Sequence, residues 1–151
     1  MRNTEMASMT LFVFFLFTFM FVFKSFAASD FKMIDTAQLH SMVVDNAYRL
    51  EGGRQKQFTV IDARTTEEYN KSHIFSAMSM PEKDLNKFMT LLPKDKNVQL
   101  VVYCSDNESG TSTKWASKAA AYGYTNIIIY SEGFSAWKAQ HMPTVPLDLS
   151  H

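Results

Sequence analysis

The segment QLVVYCSDNESGTSTKWASKAAAYG, residues 99–123, holds the only cysteine of the chain. Cys104 stands where a strongly apolar run ends and a polar, helix-starting stretch begins. A single cysteine excludes an internal disulfide, which leaves intermolecular pairing, a reactive thiol, or a buried residue acting as a small apolar side chain. The surroundings decide among these. A strand that ends at a thiol, followed by the polar loop Ser105, Asp106, Asn107, Glu108, Ser109, Gly110, Thr111 and then a helix start, turns backbone N–H groups inward as an anion cradle. Such a cradle would stabilise a thiolate, and the thiolate is the nucleophilic form.

The elements that must hold the thiol follow from periodicity. DTAQLHSMVVDNAYRL puts Leu39, Met42, Val43 and Ala47 at helical spacing behind Asp35 or Thr36 as cap. EGGRQKQ is a turn, FTVIDAR a buried strand with a polar end, and TTEEYNKSHI opens a short helix behind a threonine cap. Leu85, Phe88, Met89 and Leu92 predict a second helix, closed by Pro93. VQLVVYC and NIIIY read as strands, STKWASKAAAYG as a helix ending at Gly123, and SAWKAQ as a last short helix. Connections too long for hairpins predict an α/β fold, with a mainly parallel central sheet, helices on both faces, and ligands bound at the carboxyl ends of the strands.

Totals bound the rest. A length of 151 residues supports one domain. Lysine plus arginine and aspartate plus glutamate both number 15, and no block of like charge marks a nucleic-acid partner. Leu11 to Phe23 is an apolar run of 13 residues broken by Thr18 and followed by SFAAS. That is short of the ~20 residues of a membrane-crossing helix and fits an export signal cut near Ala27 or Ala28. Residues 1–28 are therefore expected to be a signal peptide, with an uncleaved membrane anchor as the alternative, and residues 29–151 a single domain. The expected location is periplasmic or secreted. Met78 and Met80, and His141 and His151, lack the spacing of a metal site.

VIDARTTEEYNKSHIFSAMSMP, LPKDKNVQLVVYC and AAAYGYTNIIIYSEGFSAW together resemble the rhodanese-like (sulfurtransferase) family over residues 58–143, in order as well as in spacing. Family members usually carry Asp-x-Arg at an early strand end, matched by Asp62 and Arg64, then Glu-x-Tyr or Glu-Tyr, matched by Glu68 and Tyr69. The following Gly-His-Ile-x-Gly-Ala appears as Ser72, His73, Ile74, Phe75, Ser76 and Ala77, with serine for both glycines. The closing Gly-Gly-x-x-Ala-Trp appears as Glu132, Gly133, Phe134, Ser135, Ala136 and Trp137, its first glycine lost.

The resemblance implies a rhodanese-like three-layer sandwich and a nucleophilic cysteine, here Cys104, that carries a transferable sulfur as a persulfide. It implies no metal and no organic cofactor. The partners it implies are a small sulfane-sulfur donor and a thiol or protein acceptor, with backbone amides of residues 105–111 as the main substrate contacts. Asp62, Arg64, Glu68, His73, Gly133 and Trp137 are read as supporting residues. Glu68 lies four residues after Arg64 and is spaced to pair with it, His73 either donates a proton or fixes its loop, and Trp115 either packs or walls the pocket.

The loop departs from the family pattern. Asp106 and Glu108 stand near the mouth, where two carboxylates oppose a doubly charged donor and tell against thiosulfate as the physiological donor. The alternative is a non-catalytic binding or redox-sensing module. A thiol-dependent phosphatase or arsenate reductase is weaker, because Gly110 occupies the place where that chemistry needs an arginine.

Overall fold

The computed structural model describes residues 31–106 and 108–146. The proposed signal segment lies outside the described residues. Five strands form the central sheet: β1 (Lys32–Ile34), β2 (Phe58–Asp62), β4 (Met78–Ser79), β5 (Gln99–Tyr103) and β6 (Ile127–Tyr130), in the order β1-β6-β5-β2-β4. Every neighbouring pair is parallel. A separate antiparallel pair joins β3 (His73–Ile74) to β7 (Thr144–Val145).

The period of two along the strands builds two cores. Val101 and Tyr103 of β5 face Leu39 and Val43 of α1 (Thr36–Glu51) and Phe134 and Trp137 of α5 (Gly133–Ala139). Leu100 and Val102 face the other way, onto Trp115, Ala116 and Ala119 of α4 (Thr111–Ala121) and Leu85 of α3 (Leu85–Phe88). A sheet with apolar side chains on both faces can only be covered by helices on both, and these two sets do so. α1 starts at an Asp35 cap with a reciprocal Gln38 bond, and α2 (Thr66–Lys71) has the same box from Thr65 and Glu68.

The helix expected around Leu85 to Leu92 is instead a chain of tight turns: a 3-10 turn at Glu82–Asp84, the four residues of α3, and a second 3-10 turn at Met89–Leu91. Leu92 is extended (φ −70°, ψ 150°) because the ring of Pro93 disfavours helix in the residue before it. Leu85 and Leu92 are nevertheless buried, so the spacing marked the right apolar residues.

Glu132 replaces backbone flexibility with a tie. Its Oε2 accepts from the Thr36 amide at 2.9 Å and from the Thr36 hydroxyl, fixing the start of α1 to the start of α5. Ser76 keeps the left-handed backbone (φ 63°) that glycine adopts without penalty. Among the described residues, no helix is long and apolar enough to cross a membrane.

Candidate active site

Cys104 follows the last residue of β5, at the carboxyl end of the sheet. The residue is only 3% exposed, yet it lines a cavity of about 240 Å³ together with Arg64, Glu68, Lys83, Ser105 and Asp106. The thiol Sγ lies 2.7 Å from the Asp106 carbonyl, to which it donates, and 3.5 Å from Ser112 Oγ. The Ser109 hydroxyl donates to Sγ, also at 3.5 Å.

Two forces shape the loop after the cysteine. From one side, α5 holds it: the Phe134 N–H donates to the Cys104 carbonyl at 2.8 Å and the Ser135 N–H to the Ser105 carbonyl at 3.0 Å. A trans peptide sets N–H opposite to C=O, so these bonds turn the Ser105 and Asp106 N–H groups away from α5. Gly133 permits the approach. It has φ +77°, and a Cβ there would lie 2.7 Å from Asp106 Cα and 2.8 Å from the Ser105 carbonyl oxygen.

From inside, Asp106 satisfies part of the loop. Its Oδ1 accepts from the Glu108 N–H at 3.1 Å and the Ser109 N–H at 3.0 Å. The chain's own carboxylate therefore takes two of the amides expected to face a substrate. The Thr111 N–H is directed to Ser109 Oγ at 3.4 Å, and Gly110 forms the left-handed cap of α4 at φ +61°. Asn107 lies outside the described residues.

Asp62 and Arg64 form a buried knot beside the cavity. The Arg64 guanidinium meets both Asp62 oxygens and donates to the Ser72 carbonyl at 2.8 Å. The Tyr103 hydroxyl donates to Asp62 Oδ2 at 2.6 Å and accepts from the Ile74 N–H. Arg64 also lies over the Phe134 ring at 3.8 Å, so the knot ties β2, β5, β3 and α5 together. Burial alone would lower the Arg64 pKa, but the Asp62 hydrogen bond and charge outweigh it and raise it. Burial, followed by the Asp62 charge, pushes the Tyr103 phenol well above its ordinary value.

Glu68 does not make the expected pairing with Arg64. Arg64 precedes α2, so the helical i,i+4 geometry does not apply, and its charge is matched by Asp62. Instead, Glu68 Oε1 accepts from the Ser105 hydroxyl at 2.9 Å, and Oε2 from the Thr65 N–H at 3.1 Å. Burial raises the Glu68 carboxyl, but hydrogen bonds from Ser105 and Thr65 and the Arg64 charge more than offset it and leave it below the ordinary value.

His73 stands apart from the cavity, its ring stacked on Tyr69 at 3.8 Å and its Nδ1 2.9 Å from the Tyr69 carbonyl. Trp137 is core, with Nε1 donating to the Pro143 carbonyl at 2.9 Å. Trp115 is fully buried under the sheet, and does not line the Cys104 cavity. Sequence reasoning missed Ser112, although a first-turn residue of the helix after the cysteine was a findable neighbour. It also missed Lys83, which arrives on the turn after β4 and carries no local signal. No group of three or more His, Cys, Asp or Glu side chains that could hold a metal occurs among the described residues.

A family model described as Rhodanese-like domain matches residues 45–140. A thiosulfate sulfurtransferase, GlpE, of Coxiella burnetii is 26% identical over 88 residues, covering 58% of this chain and 78% of that protein. An uncharacterized protein of Buchnera aphidicola is 23% identical over 107 residues, covering 70% of this chain and 71% of its own length. The solution structure of the rhodanese-like domain of the Alr3790 protein from Anabaena is similar with a TM-score of 0.58 at 30% identity, covering 74% of this chain and 76% of that one.

Proposed function

The chain belongs to the rhodanese-like domain family, and from that premise we propose that it is a sulfurtransferase carrying a sulfane sulfur on Cys104. The observation that supports this most is the position of the Cys104 Sγ. Cys104 lines a cavity at the carboxyl end of a parallel strand, and two serine hydroxyls lie 3.5 Å from its Sγ. Hydroxyls rotate, so Ser109 and Ser112 can both donate to a sulfur anion once the thiol proton has left to solvent.

In the first half-reaction the thiolate attacks the outer sulfur of a donor. The Sγ–S bond forms, the donor's bond to that sulfur breaks, and its electron pair departs with the leaving thiolate or sulfite. In the second, an acceptor nucleophile attacks the terminal sulfur, the Sγ–S bond breaks, and the pair returns to Sγ. On this reading the backbone amides of Ser105 and Asp106, whose peptide carbonyls are taken by α5, would hold the terminal sulfur. The partners are a small sulfane-sulfur donor and a thiol or protein acceptor. Export to the periplasm or beyond is part of the same reading, supported by the apolar run before SFAAS; sequencing the amino terminus of the mature protein tests it.

Intact mass after incubation with a sulfane donor tests the activity. One added sulfur atom is expected, absent in Cys104→Ser and removed by an acceptor thiol. A second reading, a non-catalytic binding or redox-sensing module, is favoured by one feature. The Cys104 thiol donates to the Asp106 carbonyl at 2.7 Å, and Asp106 Oδ1 holds two loop amides, so the loop already satisfies itself in part. Absence of the adduct with every donor class would select that reading.

A further inference from the structure

A second cavity of about 240 Å³ lies beside the one that contains Cys104, and the two share Arg64, Glu68 and Ser105 as a common wall. The carboxyl-terminal ends of α2 and α5 bring Lys71 and Lys138 to it. Among the described residues, neither lysine is in an ion pair. Ser72 also lines it, and its buried hydroxyl has no partner among the described residues.

The charge is divided between the halves. In the half with Cys104, Glu82 is matched by Lys118 at 2.7 Å, leaving Glu68 and Asp106 against Lys83. In the other half, Arg64 is matched by Asp62, leaving two lysines against Glu68. A compact dianion, whose charge sits directly on the group bearing the sulfur, must bring that charge into the acidic half. A thiol with a carboxylate a few carbons away instead places its charge on the lysines and its sulfur near Cys104. Ser105 directly follows Cys104 and borders both cavities, so a small molecule lying across the shared wall reaches from one half to the other.

We propose that Lys71 and Lys138, with the Ser72 hydroxyl, form the subsite for the carboxylate of a small organic thiol, which serves as sulfur acceptor or, as its persulfide, as donor. The proposal rests on the sulfurtransferase reading and names the class of cosubstrate.

The test uses the full chain. Cys104 is loaded with sulfur, and its discharge by mercaptopropionate is compared with discharge by mercaptopropanol, which differs only in lacking the carboxylate. The wild type is expected to prefer mercaptopropionate. The ratio of the two rates falls roughly tenfold in Lys71→Gln/Lys138→Gln, since each exposed pair contributes a few-fold, and the preference shrinks as salt is raised. An unchanged ratio with normal loading overturns the subsite and leaves the sulfurtransferase reading intact; an acidic protein segment then becomes the better occupant of the lysine cavity.

Should no loading occur in the wild type, the broader reading fails, and binding decides the subsite by itself. Methylthiopropionate, observed by NMR line broadening with Cys104→Ser, is expected to bind. It is expected to lose that binding when Lys71→Gln/Lys138→Gln is added, and equal broadening with and without the lysines refutes the assignment.

Discussion

Gly133→Ala isolates the contact that shapes the thiol loop. The backbone there has φ +77°, and the added methyl would meet Asp106 Cα at 2.7 Å, the Asp106 nitrogen at 2.8 Å and the Ser105 oxygen at 2.8 Å. All three are main-chain atoms, so no side chain can swing aside. Left-handed backbone in a residue with a Cβ costs about 1–2 kcal/mol. Pushing α5 away from the loop also weakens the bonds from Phe134 to Cys104 and from Ser135 to Ser105, each worth about 1 kcal/mol. The sum is about 3–4 kcal/mol, a large share of the roughly 5–15 kcal/mol that holds a domain together. With a urea m-value of about 2 kcal/mol/M, the unfolding midpoint should drop by about 1.5–2 M. Gly110→Ala is the control: φ is +61° but nothing lies within 4 Å of the added Cβ, so only the backbone term of about 1–2 kcal/mol remains. Persulfide loading, measured by mass well below the unfolding midpoint, should fall further in Gly133→Ala than in Gly110→Ala. Equal midpoints for the two variants would refute the claim that packing against the loop, rather than backbone conformation alone, requires glycine at 133.

Other perturbations address the knot and the ties around it. Asp62→Asn leaves the Arg64 guanidinium buried without its counter-charge and should destabilise by about 3–5 kcal/mol in urea unfolding. Tyr103→Phe should destabilise by about 1.5–3 kcal/mol, because the lost hydroxyl donates to a carboxylate. The same phenol predicts an alkaline limit. Its folded pKa is raised, so its contribution is complete below the unfolded value of about 10 and is lost as pH rises above it, readable as a falling thermal midpoint in that range. Glu68 has the opposite sign: its folded pKa is lowered, so its contribution is complete above about 4.5 and is lost as pH falls through the folded value. Ser76→Gly should raise stability by about 0.5–1 kcal/mol by relieving a left-handed serine, checked by the same urea titration.

What the sequence revealed follows from the range of the forces involved. The runs at Phe58–Asp62, Gln99–Tyr103 and Ile127–Tyr130 are buried on both faces, and continuous apolar runs between turns report that burial directly. β1, β3, β4 and β7 are two or three residues long and owe their pairing to distant chain, so no local period announces them. The turns around Leu85 kept helical spacing of buried residues while Pro93 denied the helix its last residue. At the site, Cys104 was legible because strand end, polar loop and helix start are consecutive. The destinations of the loop amides were not, since the choice between solvent, ligand and the Asp106 carboxylate is made in three dimensions. Lys71 and Lys138 share a cavity only because two helix ends, far apart in sequence, converge there.

The loop and the lysine cavity belong to one physical argument. An amide cradle attracts anions because its N–H groups are unsatisfied, and each one given an internal acceptor ceases to select for charge. Asp106 is such an acceptor for Glu108 and Ser109, and the same residue adds negative charge at the mouth. Charge recognition near the sulfur is thereby weakened twice, while α5 still fixes the backbone that carries the thiol. On the proposed reading a cosubstrate with its charge remote from its sulfur is then the one that gains, because Lys71 and Lys138 line the adjoining cavity and the sulfur meets hydroxyls instead of a strong positive field. Asp106→Gly reverses both effects together. It frees two amides and removes a carboxylate, so loading from a compact anionic donor such as thiosulfate should rise relative to loading from an uncharged persulfide. A ratio that stays the same would mean that the Asp106 carboxylate does not govern donor choice, and that the loop amides never face the incoming sulfur.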